Sequence, residues 1–433
     1  MSALAGIDHR AIAEEFGTPY YVYCAEELER SFREARRVVG DATRIYYSLK
    51  SNPNISVYAV LRGAGAMAEV SSLAELRTVL TCGTDPEDIL FLGPGKSRRE
   101  IAACLQAGVR LVVESLDELD LIEVEASRLG TTCRALLRVN PGFRGKGSGL
   151  TMGGAPRQFG IDQAQLEQHL GLQARAPRVR VDGVQVYMGT RILAADAIVE
   201  NTRAILALAE SVAQAQRFDL AMVDVGGGWG VPYFENETAL DLDALRAGMR
   251  PLLEDFAGRH PGTITAIELG RFLSGPAGTY VTQVRYAKTS VGQSFAIADG
   301  GTNHHMAAVG IGSFVKRNFP IALLDGEGGE PGEWTVTGPL CTPNDVLVKA
   351  AVLPRLRPGD LLGVGMSGAY GASASPGMFL SHGYPAEVLV RDGRAELIAE
   401  PDTTERILGR QRLASIAVPP LLTPHPTASE VLS

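Results

Sequence analysis

The sequence predicts an α/β protein: a (β/α)8 barrel of the TIM type followed by a C-terminal antiparallel β-domain. Three observations lead there. The chain is 433 residues long, more than one ordinary domain accommodates. Between about residues 40 and 290, short apolar runs alternate with amphipathic stretches. Beyond that point strand-like runs continue, separated by Gly, Pro and Asp turns with no helical pattern between them.

Taken in order, "TPYYVYCAEELERSF" reads as a strand and then a helix, and the segment 1–35 is expected to join the β-domain. The barrel, 36–280, takes its strands from "RIYYSLK", "AMAEVSS", "DILFLGP", "RLVVES", "RALLRVN", "GVQVYMG", "AMVDVGGG" and "TAIELGR". Each is rich in Val, Ile, Leu or Tyr and is bounded by turn residues. Helical patterns such as "SLAELRTVLTCG", "SRREIAACLQAG" and "SLDELDLIEVEASRLG" lie between them. Strict alternation implies a parallel sheet, and eight units in about 250 residues match a closed barrel. An open doubly wound sheet is the rival architecture. The β-domain, 281–412, draws on "TYVTQVRYAKTSVGQSFAIADGG", "GEWTVTGPLCTPNDVLV", "DLLGVGM" and "PAEVLVRDGRAELIAE". The Pro/Ser/Thr-rich tail, 413–433, is expected to be disordered.

Composition narrows the function. A hydrophobic share of 45% and a charged share of 21% fit a soluble protein with a large core. A net charge of -8 without any Lys/Arg block argues against nucleic acid and anionic membrane surfaces. No apolar run is long enough to span a bilayer, and the N-terminus lacks a signal-peptide core. The five cysteines are widely spaced with no C-x-x-C pair, which predicts neither disulfides nor zinc and fits the cytoplasm.

Functional groups of a barrel gather at the carboxyl ends of its strands. Lys50 sits at such an end, in "YYSLKSNPN". It is either a rim lysine that snorkels outward or an amine kept deprotonated by burial and ready to form a Schiff base. Gly226, Gly227 and Gly228 in "VDVGGGWG" could cradle a phosphate or simply make a tight turn. Glu268, Gly270 and Arg271 in "IELGRFLSG" could form a rim salt bridge, or place a carboxylate on a ring nitrogen and a guanidinium on a phosphate. Cys341 lies in a turn near Asp345, and Tyr370 in a Gly/Ser-rich loop suited to binding. No G-x-S-x-G elbow occurs, and the adjacent His304 and His305 lack zinc-ligand spacing, so no metal is expected.

Together these motifs resemble those of the fold-type III pyridoxal-phosphate decarboxylases, the diaminopimelate, ornithine and arginine decarboxylase group. "YSLKSNPN" is similar to their Y-A-V-K-A-N-x-N, "DVGGGWG" to D-x-G-G-G-x-G, "ELGR" to E-P-G-R and "GPLCTPND" to G-P-x-C-x-x-x-D, while "GAYG" matches outright. The order and spacing agree over roughly residues 15 to 395. The resemblance implies an alanine-racemase-like barrel in which Lys50 holds pyridoxal 5'-phosphate as a Schiff base and Glu268 meets the pyridine nitrogen. Gly228, Gly270, Arg271, Thr190 and Tyr370 would bind the phosphate, and Glu69 and Arg138 match an acid–Arg pair near the cofactor. It also implies a homodimer with shared active sites, to which Cys341, as proton donor, and Asp345 come from the partner subunit.

Departures concern the substrate. Tyr187 stands where the family stacks a histidine on the ring, Thr342 where diaminopimelate enzymes carry an acid, Ala307 where they carry a substrate-binding Arg, and Leu269 where they carry a Pro. Gln158 replaces the lysine that pairs with Asp345 across subunits. "MGGAPRQFGID", "DGGTNHH" and "CTPND" look more like a subgroup in secondary metabolism, acting on siderophore precursors or carrier-tethered amino acids. Decarboxylation of an amino-acid-like substrate is therefore expected. An amino-acid racemase or epimerase of the same fold is the alternative, and a catalytically inactive regulator is disfavoured by the presence of Lys50.

Overall fold

The computed structural model describes residues 6–147, 150–151, 153–309, 317–326 and 328–415. Of the expected disordered tail, residues 416–433 lie outside the described residues.

The first strand, β1 (Tyr20–Cys24), and helix α2 (Ala25–Val39), after a short α1 (His9–Phe16), precede the barrel. Eight parallel strands follow: β2 (Arg44–Ser48), β3 (Met67–Val70), β4 (Ile89–Phe91), β5 (Arg110–Val113), β6 (Cys133–Asn140), β7 (Val179–Gln185), β8 (Met222–Gly227) and β9 (Ile264–Leu269). They pair in sequence order, and β9 returns to β2, so the sheet closes on itself. That closure rejects the open-sheet rival. Tyr46, Leu90, Leu92, Val112, Leu136, Met222 and Ala266 point inward and pack into one cluster, making the barrel a filled core with no through-channel.

The helices outside the barrel start where the sequence says they should. Ser72, Ser97 and Ser115 each follow a strand and cap α4 (Leu73–Thr81), α5 (Arg98–Ala107) and α6 (Leu116–Leu129) by accepting from the backbone N–H three residues on. Each is the first residue of an S-x-x-E box. Glycines in the left-handed conformation, Gly108 and Gly130, end the latter two. Helix α2 packs against α8 (Leu242–Arg259) and α3 (Ile55–Gly63), and α7 (Ala195–Gln216) packs on α8. Among its described residues, the connector after β6 holds short strands at Leu150–Thr151 and Ile161–Asp162 and short helical pieces at Gln163–Gln168 and Leu172–Arg175.

The second domain holds β10 (Gly278–Ser290), β11 (Gln293–Ala298), β12 (Ile321–Asp325), β13 (Gly332–Thr337), β14 (Val346–Leu353), β15 (Leu361–Val364), β16 (Ala386–Arg391) and β17 (Arg394–Ala399). The expected antiparallel domain needs correction: the sheet is mixed. β1 runs parallel to β16, and β11 parallel to β13, while the remaining pairings are antiparallel. The long returns from β1 to β16 and from β11 to β13 permit parallel neighbours. Residues Tyr20 to Tyr23 of β1 are all buried between β10 and β16, so the chain's first strand ties its two domains together. Tyr370 N donates to Ser51 O (2.7 Å) and Asn52 Nδ2 to Gly368 O (3.2 Å), which brings the β15–β16 loop onto the barrel mouth.

Candidate active site at the barrel mouth

A cavity of about 510 Å³ opens at the carboxyl ends of the barrel strands. It gathers Lys50, Glu69, Arg138, Tyr187, Thr190, Glu268, Arg271 and Tyr370, residues from five strand ends and one distant loop. A small niche continues past Thr190 and Tyr370 and adds Gly228, Trp229, Leu269 and Gly270. Sequence reasoning missed the loop from Phe91 to Lys96, along with Ser71, Glu100 and Phe159, which complete the cavity wall. The S-R-R-E box at Ser97 to Glu100 marked that loop as a helix start without marking it as a site.

Lys50 lies on a 3-10 turn directly after β2. Its Nζ sits 3.0 and 3.1 Å from the two oxygens of buried Glu69, and its 42% exposed side chain opens into the cavity. Burial pulls the ammonium down, but the carboxylates of Glu69 and Glu268 outweigh it and hold Lys50 above the ordinary lysine range. That direction runs against an amine kept deprotonated by burial alone: Glu69, 3.0 Å away, favours the charged form.

Glu268 accepts from Gln185 Nε2 at 3.3 and 3.4 Å on the cavity floor. Burial, then the charges of Asp224 and Glu69, push its carboxyl well above the usual range. Asp224 is itself pushed up to about 7, chiefly by burial. Its Oδ1 accepts from Gly226 N (2.9 Å), whereas Oδ2 has no partner apart from Glu268. The two buried carboxyls face each other, so each raises the other's affinity for a proton.

The glycine run divides into two uses. A Cβ at Gly227 would collide with the Glu268 carbonyl oxygen, and one at Gly226 would lie 2.6 Å from Val186 O. These two glycines let neighbouring strands approach and do not line the niche. Only Gly228 (φ +83) and Gly270 do, so a phosphate cradle made of all three glycines is corrected to one made with Gly228. Arg271 donates through Nη1 to Tyr233 OH (2.6 Å) and stacks 4.6 Å from the Tyr370 ring, while its buried Nε has no partner. Tyr370 itself holds a left-handed φ of 55°, a strain that concentrates at binding sites. Arg138 Nη1 donates to Glu114 Oε1 (2.9 Å), and its guanidinium lies 4.7 Å from the Phe159 ring.

Cys341 and Thr342 do not line the cavity of their own chain; Cys341 is exposed and Thr342 half-buried in the β13–β14 turn. Asp345 turns the other way. It is 2% exposed and accepts from Thr302 N, Thr302 Oγ1 and Leu340 N at 2.7, 2.9 and 2.7 Å. Its expected place at a subunit interface is corrected: its own chain uses both oxygens to shape the turn. Ala307 packs against the core, away from the cavity.

A lysine at the centre, a buried carboxyl on the floor, an aromatic wall at Tyr187 and a glycine niche with a spare guanidinium N–H fit pyridoxal phosphate. They match its aldehyde, ring nitrogen, ring face and phosphate in turn.

Comparison with known proteins agrees. Residues 25–275 match the family model described as pyridoxal-dependent decarboxylase, pyridoxal binding domain. The chain belongs to this family. It is a decarboxylase, and its cofactor is pyridoxal phosphate. The L-glutamyl-[BtrI acyl-carrier protein] decarboxylase of Niallia circulans is 37% identical, over 93% of this chain and 95% of that one. A diaminopimelate decarboxylase of Pseudomonas fluorescens is 31% identical, over 94% and 96%. The crystal structure of diaminopimelate decarboxylase from Helicobacter pylori complexed with L-lysine superposes with a TM-score of 0.83 at 27% identity, covering 93% of this chain and 98% of that one.

Proposed function

We propose that the enzyme decarboxylates an aminoacyl unit whose far end carries no charge, as when it is tethered to an acyl-carrier protein. The observation that carries this reading is the state of the charges in the cavity wall: apart from Arg271, assigned to the phosphate, each already has a partner in its own chain. Lys50 is held by Glu69, and Arg138 by Glu114. Lys96 donates to Gly93 O, Val112 O and Glu118 at 2.7–2.8 Å. Glu100 accepts from Ser97 N and Oγ. Phe91, Leu92, Pro94 and Phe159 make up much of the remaining wall. Among the described residues, no cation other than Arg271, which the phosphate takes up, waits there for a side-chain carboxylate, and Glu100 is committed to its helix cap. A free diamino or dicarboxylic acid would bury its distal charge unpaired, at a cost of several kcal/mol. A thioester in that position avoids the cost. The Niallia circulans relative, named for a glutamyl carrier-protein substrate, supports the same reading.

Pyridoxal phosphate, when bound, supplies an aldehyde for an amine and a ring that takes up the electron pair left as carbon dioxide departs. The residues have separate tasks. Lys50 provides the anchoring amine, with Glu69 at 3.0 Å positioned to take its proton. Glu268 on the floor would meet the ring nitrogen. Gly228, Gly270, Thr190, Arg271 and Tyr370 would bind the phosphate, and the Tyr187 ring would stack on the cofactor ring. Exposed Cys341 serves the cavity of a second copy as proton donor, which makes the working unit a homodimer with shared sites, and Thr342 lies beside it.

Carbon dioxide release distinguishes the substrates. With the purified enzyme, kcat/KM for a glutamyl group loaded on a carrier protein is expected to exceed that for free glutamate or diaminopimelate on the order of 100-fold. Equal or better rates with the free acids would contradict the proposal.

A further inference from the structure

The His304–His305 pair has no role in the chemistry above, although both side chains are buried, at 4% and 0% exposure. We infer that this pair positions the phosphate end of the cofactor site, by stapling the loop that carries Tyr370 and by buttressing Arg271 through two aromatic rings.

Three successive residues grip the loop between β15 and β16 at three points. His304 Nε2 donates to Gly383 O at 2.9 Å, near the loop's far end. His305 Nε2 lies 3.3 Å from Ser367 Oγ, three residues before Tyr370. Met306 N donates to Ser375 Oγ (2.8 Å), which passes its own hydrogen to Gly371 O (2.7 Å), just after Tyr370. Tyr370 is thus fixed on both sides while it holds its strained backbone. Such a conformation persists only where its surroundings over-determine it. Burial lowers the His305 imidazole to about 4, so the ring is neutral and adds no charge beside the phosphate niche.

The second connection runs through rings. His305 meets Phe319 edge-on at 5.1 Å, and Phe319 packs on Tyr233 at 4.9 Å. Tyr233 OH accepts from Arg271 Nη1 at 2.6 Å. The same imidazole therefore bears on two of the side chains that border the niche, Arg271 and Tyr370. Neither histidine lines the cavity, so both act through other residues.

The inference rests on reading Arg271 and Tyr370 as phosphate ligands, and its test separates the two. Affinities of the cofactor-stripped full-length chain for pyridoxal phosphate and for pyridoxal, which lacks the phosphate, give a ratio. His305→Phe keeps the ring stack and loses the polar contacts. It is expected to lower that ratio at least about tenfold, as for one lost hydrogen bond to a charged group, with pyridoxal affinity unchanged. His305→Gln, which restores a donor and an acceptor, is expected to recover most of the ratio. Ser367→Ala breaks the same staple from the loop side and decides the matter if His305→Phe fails to fold. An unchanged ratio in these variants overturns the inference, as does an equal loss of both affinities, which marks a merely structural role. Arg271→Ala is the reference: if it too leaves the ratio unchanged, the phosphate reading itself fails.

Discussion

Lys50 and Glu69 end adjacent strands, β2 and β3, and their 3.0 Å contact sets when the lysine can act. Only the neutral amine attacks an aldehyde, and Glu69 stabilises the charged form. Cofactor capture by the stripped enzyme should therefore speed up as pH rises. Glu69→Gln removes a contribution that raises the lysine pKa, so the rate profile is expected to move to lower pH, as stopped-flow absorbance would report. A shift to higher pH would refute this role for Glu69. Asp345 makes the opposite kind of case. Deleting an acceptor of three buried hydrogen bonds in Asp345→Ala should cost about 3 kcal/mol, readable by urea unfolding. Lys50 was legible in the sequence because a lysine closing an apolar strand is conspicuous. The direction of its pKa was not, because that depends on Glu69 and Glu268, 19 and 218 residues away along the chain. Asp345 was misread because the spacing that marked it says nothing about which way its side chain turns.

At the scale of elements, the sequence located all eight barrel strands and the helix starts, since Val/Ile/Leu runs and S-x-x-E boxes are local signals. The pairing directions of the second sheet were not local. Alternating short strands look alike whether their neighbours run parallel or antiparallel, and the partner of β1 lies more than 360 residues away, at β16. The loop between strand β8 and the rest of the niche gives a sharp contrast between glycines. Gly228 has φ +83, and a side chain there would strike the Gly189 carbonyl. Gly228→Ala should cost about 1–3 kcal/mol and weaken cofactor binding. Gly258, exposed near the end of α8 with nothing within 4 Å of a Cβ, should behave oppositely: Gly258→Ala is expected to stabilise by about 0.5–1 kcal/mol. Thermal unfolding of the two variants with and without cofactor checks both.

For the whole molecule, the cavity and the exposed Cys341 belong to different parts of one chain, and the proposed function has a second copy bring them together. Mixing inactive Lys50→Ala chains with inactive Cys341→Ala chains is therefore expected to restore partial decarboxylase activity, since some mixed dimers contain one intact site. No recovery after verified exchange of subunits would contradict the shared site. The central claim is narrower: Lys50 is the residue that holds the cofactor. Among the described residues, two lysines line the cavity, Lys50 and Lys96; Lys96 is buried and already donates three hydrogen bonds. Borohydride reduction of the cofactor-loaded enzyme followed by peptide mass mapping tests the claim most directly. The pyridoxyl label is expected on the peptide carrying Lys50 and absent from the Lys50→Ala variant; a label on Lys96, or on any other lysine of the wild-type chain, would contradict it.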